Sequence, residues 1–350
     1  TLSSSSAASD VYKRQVSMGR QALYSNTTGT YNVALGDQAM IYTGDGTSSP
    51  TGTVAIGYQA GRYPEGSYNT WVGYSTGRGA TATRTSNLNT AVGREAMSAT
   101  LSDTENVALG AGAMELSTAS HLNVVIGRGA MNSVLTANRN VAVGYYSLES
   151  FVGTSNTYNT ALGFYAGKDL TTGVNNTILG ASNDGHSLTT GSNNTFVGYQ
   201  AGDSVTTGQG SVIIGADAGQ SFDTESYVTV VGHDAFKDAV GDQYAIAIGY
   251  RALADSDATG GQNVAMGQSA GRYFGAGTSD SVVIGGSAGA GSSTTAFGGT
   301  SVVAIGGGAI QELVSGSGVV ALGRNALNET VSGNQSVAIG SAAGRYALNS

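Results

Sequence analysis

Short apolar stretches alternate along the chain with longer polar ones, and each apolar stretch closes on a glycine. Val33-Ala-Leu-Gly36, Val54-Ala-Ile-Gly57, Thr90-Ala-Val-Gly93 and Val264-Ala-Met-Gly267 are representative. The phrase occurs 19 times, from Val16-Ser-Met-Gly19 to Val337-Ala-Ile-Gly340, with successive glycines most often 17 residues apart and 16 to 21 apart in all. A unit this short cannot bury its own apolar face, so neighbouring units stack into one continuous core. The pattern predicts an all-β parallel β-roll or β-solenoid of about 19 short coils. At ~4.8 Å per coil, 19 of them make a rod roughly 90 Å long.

Take the residue before the strand as position one, the three strand residues as positions two to four, and the glycine as the close. Position two is Val, Ile or Thr in all 19 units, and position four is Leu, Ile, Val or Met in all 19. Residues two apart share a face of a strand, and β-branching favours strand over helix. Positions two and four are therefore expected inside. The expected core pairs include Val107 with Leu109, Val124 with Ile126, Val141 with Val143, Val264 with Met266, and Val337 with Ile339. Position three is Ala in 11 units and Val, Ile, Phe or Trp in seven others. On that register it faces outward, and a strand apolar on both faces is covered on both. The alanines, among them Ala34, Ala108, Ala142, Ala161, Ala265 and Ala338, become a candidate stripe for self-association.

The closing glycines, including Gly36, Gly57, Gly110, Gly127, Gly144, Gly267 and Gly340, predict a turn with positive φ or a close approach of the next coil. Three residues later the chain returns to Ala in 16 of 19 units, which suggests a short return strand. Position one is Asn in ten units, enough for a stacked amide ladder.

Composition narrows the class. With 55 Gly and 2 Pro but no three-residue glycine period, the chain is not collagen-like. Hydrophobic residues make up 40% in a regular pattern, which argues against disorder. Fifteen Lys and Arg against 23 Asp and Glu give a net charge of −8, and no basic run offsets it, so nucleic acid is not an expected partner. There is no cysteine, hence no disulfide or thiolate metal site. No apolar run approaches the roughly 18 residues of a membrane-spanning helix, so no membrane contact is expected in this stretch.

Residues 1–15 lack the repeat, and Ser5-Ser-Ala-Ala-Ser-Asp-Val-Tyr-Lys-Arg-Gln15 resembles a translated sequencing adapter. They are expected to be a non-native leader, with residues 16–350 forming the repeat domain of a longer fibre.

Asn106-Val-Ala-Leu-Gly-Ala-Gly-Ala113, Asn140-Val-Ala-Val-Gly144 and Ser336-Val-Ala-Ile-Gly-Ser-Ala-Ala343 resemble the head repeat of YadA-like trimeric autotransporter adhesins. Ala22-Leu-Tyr-Ser-Asn-Thr-Thr-Gly-Thr-Tyr-Asn-Val-Ala-Leu-Gly36 is similar to repeats of phage and environmental bacterial tail-fibre proteins. The resemblance covers about residues 16–350. It implies a left-handed roll, three chains about one axis, and a cell or virion surface. The family's repeat is usually nearer 14 residues than 17, and stalk heptads, anchor, receptor-binding tip and chaperone domain are absent from these residues.

Catalytic chemistry finds little support. Gly285-Gly-Ser-Ala-Gly-Ala-Gly291 lacks the following helix of a dinucleotide site. His121, His186 and His233 fall at unrelated places in their repeats, and Asp255-Ser-Asp257 lacks the later glutamate of a calcium loop. No catalytic, cofactor-binding or metal residue is expected, and no cofactor. Tyr58, Tyr74, Tyr145, Tyr199 and Tyr250 follow turn glycines and are expected to stack along the flank, with a surface for glycans or proteins as the functional reading. The expected function is non-enzymatic: an extracellular structural fibre, either a trimeric adhesin or a tail-fibre shaft, that extends and presents a binding surface. The alternatives are a self-polymerising filament subunit, a left-handed β-helix enzyme of the acyltransferase type, and an ice-binding solenoid. The last would need a regular outward Thr array, whereas position two carries Thr in only six units.

Overall fold

The computed structural model describes residues 14–42, 50–63, 66–79, 85–181, 187–221, 223–258 and 261–345. Every regular element among them is a strand, and no helix is long and apolar enough to cross a membrane. The chain falls into two units, residues 1–175 and 176–350. In the first, the repeated phrase forms nine three-residue strands, from Val16–Met18 to Thr160–Leu162. In the second it forms ten, from Thr177–Leu179 to Val337–Ile339. Within each unit successive strands pair in parallel with like positions in register, Val107 on Val124 and Leu109 on Ile126, for example. The chain is thus a parallel β-solenoid built coil on coil, as the period requires.

The faces of the strand are the reverse of the expected ones. Ala34, Ala108, Ala142, Ala161 and Ala265 have no exposed surface and Ala338 has 8%, so the alanine column is the core and cannot serve as a stripe for a partner. Val107, Leu109, Val143 and Val264 are only half-buried. Val124, Ile126, Val141 and Met266 are more exposed, and Val337 and Ile339 reach 67% and 69%. These ten residues line the outside of the coil. The reason is steric. Each interior is narrow and is shared with the turn that follows the strand, so a methyl group is the side chain that fits by default. Where position three is large, the turn gives way: a Cβ on Gly61 or Gly77 would lie 2.7 or 2.4 Å from the ring of Trp71. Where position three is Ala, the turn supplies the bulk, as Met40, Met97 and Met114 do, all fully buried.

Glycine at the close of each phrase meets two demands at once. Gly110 has φ +141, and a Cβ there would sit 2.4 Å from the carbonyl oxygen of Gly127 in the next coil. The alanine three residues on is buried as expected, but in a turn and not in a return strand: Ala113 and Ala130 are followed by Met114 and Met131 at φ 51 and 45. Hydrogen bonds there run to the next coil, Met114 N to Ala130 O at 3.0 Å. Short strands form instead farther along the coil. Thr136–Asn138 pairs with Thr154–Asn156 in the first unit, and Gly299–Thr300, Ser315–Ser317 and Ser332–Asn334 pair in the second.

The amide ladder at position one is present. Asn106 donates its backbone N–H (3.0 Å) and its Nδ2 (3.1 Å) to Asn89 Oδ1, and a further Nδ2 bond reaches the Ser120 carbonyl at 2.7 Å. Asn123 and Asn140 repeat the first two contacts on the coils above. These amides are fully buried, and every donor satisfied this way avoids the roughly 1–3 kcal/mol cost of an unpaired buried polar group. Residues 1–13 of the expected leader lie outside the described residues. Gln15, at its end, accepts a hydrogen bond from Asn26 Nδ2 at 2.8 Å.

Candidate interaction surface

With position three inside, positions two and four stand on the outer face of the main sheet in two parallel columns. The first unit contributes 18 such side chains, two from each of nine strands. Val92, Val124, Ile126, Val141 and Leu162 are 37–49% exposed. With ~50 Å² still accessible on each side chain, the face of that unit presents on the order of 900 Å². The largest apolar patch on an ordinary monomer is roughly 300–600 Å². Threonine interrupts the position-two column at Thr70, Thr90 and Thr160, but its methyl group keeps the surface mainly apolar. All six position-two threonines, the three above with Thr177, Thr195 and Thr229, face outward, contrary to expectation, yet Val107, Val124, Val141 and Val212 interrupt the column and leave no regular Thr array.

Aromatic residues stack beside this face. Tyr58 lies over Tyr74 with centroids 5.2 Å apart at 21°, and Tyr145 over Phe164 at 5.2 Å and 6°. Ring faces are turned toward each other, so the flank exposes ring edges more than faces.

The remaining polar candidates are engaged. His121 Nδ1 lies 2.6 Å from Thr104 Oγ1, and His186 lies outside the described residues. Asp255 accepts from Arg272 Nε at 2.5 Å, so one of the two carboxylates of Asp255-Ser-Asp257 is tied into an ion pair. Asp217, His233 and Asp234 bring ligand atoms within 4.8 Å of one another. Asp234, however, accepts from Lys237 Nζ and Arg251 Nε, each at 3.2 Å. Burial pushes its carboxyl up, and those two hydrogen bonds more than offset that, leaving it below the usual range.

Two acids with no exposed surface escaped the sequence reading because they sit in segments read as variable loops. Asp103 is fully buried in the first unit and accepts from Thr100 Oγ1 at 2.6 Å, Ser120 N at 2.7 Å and Ser117 Oγ. Burial pushes its carboxyl above the ordinary value in spite of those bonds. Asp242 is fully buried in the second unit. Its signal in the sequence is a missing ladder asparagine, since position one of that coil is Ala245.

The geometry therefore describes solenoid coils whose main sheet turns an apolar face outward, with the candidate polar residues named above tied into hydrogen bonds or ion pairs. No family model and no curated protein matches the chain.

Proposed function

We propose that this chain is a non-enzymatic shaft segment of an extracellular fibre that associates with copies of itself through the outer face of its main sheet. The observation that carries the reading is the double column at positions two and four, a larger apolar area than an ordinary monomer exposes. Cyclic association consumes such a face without leaving a sticky edge. A trimer is the stoichiometry implied by the resemblance of Asn106–Ala113 and Ser336–Ala343 to YadA-like head repeats. Three chains packed sheet to sheet cover this face and turn the polar loops outward, where a cell-surface adhesin or a virion tail fibre presents its receptor-binding surface. Covering one outward side chain contributes about 1 kcal/mol, and the gain repeats at every coil. Sedimentation equilibrium of the full chain tests the reading: a mass three times 34.9 kDa is expected. A species of 34.9 kDa persisting at tens of micromolar would refute self-association.

A further inference from the structure

The ladder of the second unit is broken and then spliced. Asn194 N donates to Asn176 Oδ1 at 3.0 Å, Ser211 N to Asn194 Oδ1 at 3.0 Å, and Val228 N to Ser211 Oγ at 3.3 Å. Position one is then Val228 and Ala245, whose side chains accept nothing. Asn263 begins the ladder again, and its Nδ2 lies 3.2 and 3.1 Å from the two carboxylate oxygens of Asp242. Its backbone N–H also bonds to that carboxylate. Asn263 Oδ1 in turn accepts from Ser281 N at 3.2 Å. A carboxyl group thus accepts the position-one N–H that Asn194, Ser211 and Val228 donate to an amide or a hydroxyl.

Among the described residues, no ion pair to a Lys, Arg or His balances it. From the preceding coil Asp242 faces Glu225, itself only 7% exposed and held by the N–H groups of Asp223, Thr224 and Gly241. From the following coil it faces the neutral Asn263, whose Nδ2 also reaches the Thr278 carbonyl at 3.2 Å. Lys237 and Arg251, the cations of the same stretch, are bound to Asp234.

We propose that Asp242 and Glu225 form a pH-sensitive joint in the second unit. With Asp242 neutral, that step of the ladder holds no buried charge; with Asp242 ionised, the Asn263 N–H bonds to it strengthen, but the charge is held away from water beside Glu225, and the coil opens more readily. Burial, with the charge of Glu225 adding to it and the Asn263 bonds opposing, pushes the Asp242 carboxyl up to about 7 from an ordinary 3.8. A raised folded-state value means that the closed form keeps its proton longer than the open form. Protection is then greatest in acid, declines as the pH rises from about 4 to about 7, and levels off above.

Hydrogen exchange on the full chain reads this directly. Ile246 N bonds to Asn263 O at 2.8 Å. Between pH 5 and pH 8 the opening of the Ile246 and Asn263 amides, corrected for intrinsic exchange, should rise roughly a hundredfold. Thr195, bonded to Ser211 O at 2.8 Å, is the internal reference and should not change. Asp242→Asn keeps an acceptor oxygen but cannot ionise, and should abolish the dependence. If that variant does not fold, Glu225→Gln should move the midpoint to lower pH. A wild-type change below threefold, an equal dependence in Asp242→Asn, or an unmoved midpoint in Glu225→Gln overturns the proposal.

Discussion

Exchanging two adjacent residues tests which face of the strand is inside. Ala108 lies in register between Ala91 and Val125 and has no exposed surface, as do Met97 and Met114 nearby. Ala108→Glu forces a longer chain into that space, at about 1–3 kcal/mol for overpacking. It also buries a carboxyl with no partner, adding several kcal/mol. The sum, about 4–6 kcal/mol, approaches the roughly 5–15 kcal/mol that separates folded from unfolded states in ordinary domains. Leu109→Asp, one residue on, removes a half-buried side chain and costs the isolated coil only about 1 kcal/mol. Urea unfolding followed by the fluorescence of Trp71, the chain's single tryptophan and 2% exposed, measures both. The loss in Ala108→Glu should not depend on protein concentration. The smaller loss in Leu109→Asp should grow as concentration rises, because it weakens association. If Ala108→Glu unfolds at the wild-type midpoint while Leu109→Asp collapses at every concentration, the inner and outer faces are misassigned.

Other consequences follow from single contacts. Gly285→Ala places a Cβ 2.7 Å from the Gly306 carbonyl carbon at φ +129, and should cost about 2–4 kcal/mol in thermal unfolding. At the adjacent Gly286 a Cβ meets nothing within 4 Å, so Gly286→Ala should leave the transition where it is. Asn123→Leu strips the acceptor from the N–H and Nδ2 groups of Asn140, and should cost about 3 kcal/mol by denaturant titration. Glu105, exposed and held at φ 58, should gain up to about 1 kcal/mol on replacement by Gly, visible as a higher midpoint in the same titration.

The stacking of the coils was legible because the glycine phrase is both periodic and sterically obligatory. Gly110 shows why, with its positive φ and its approach to Gly127. The orientation of the strand was harder to read, because alternation has no sign when both faces are apolar. Val107 and Leu109 look like better core residues than Ala108 until the width of the coil is known. Two features did carry the answer. Asn106 is two residues from Ala108, so a buried amide ladder puts Ala108 inside as well. Glycines 61, 77 and 202 also appear around Trp71 and Phe196, the bulkiest position-three residues. The acids Asp103 and Asp242 depart from the repeat, and although Ala245 in place of a ladder asparagine marks the second coil, only the stacking of coils shows that either acid is enclosed.

The chain has no cysteine of its own, so one introduced at Val141 reports on the outer face without interference. In the full chain Val141→Cys should react with maleimide far more slowly than a cysteine placed at Tyr158, a residue 50% exposed in the loop preceding the next strand. Under mild oxidation it should form disulfides between chains, and dilution into urea should abolish both effects. Labelling of Val141→Cys as fast as Tyr158→Cys, with no interchain disulfide at any concentration, would contradict the claim that the outer face is covered by a second copy.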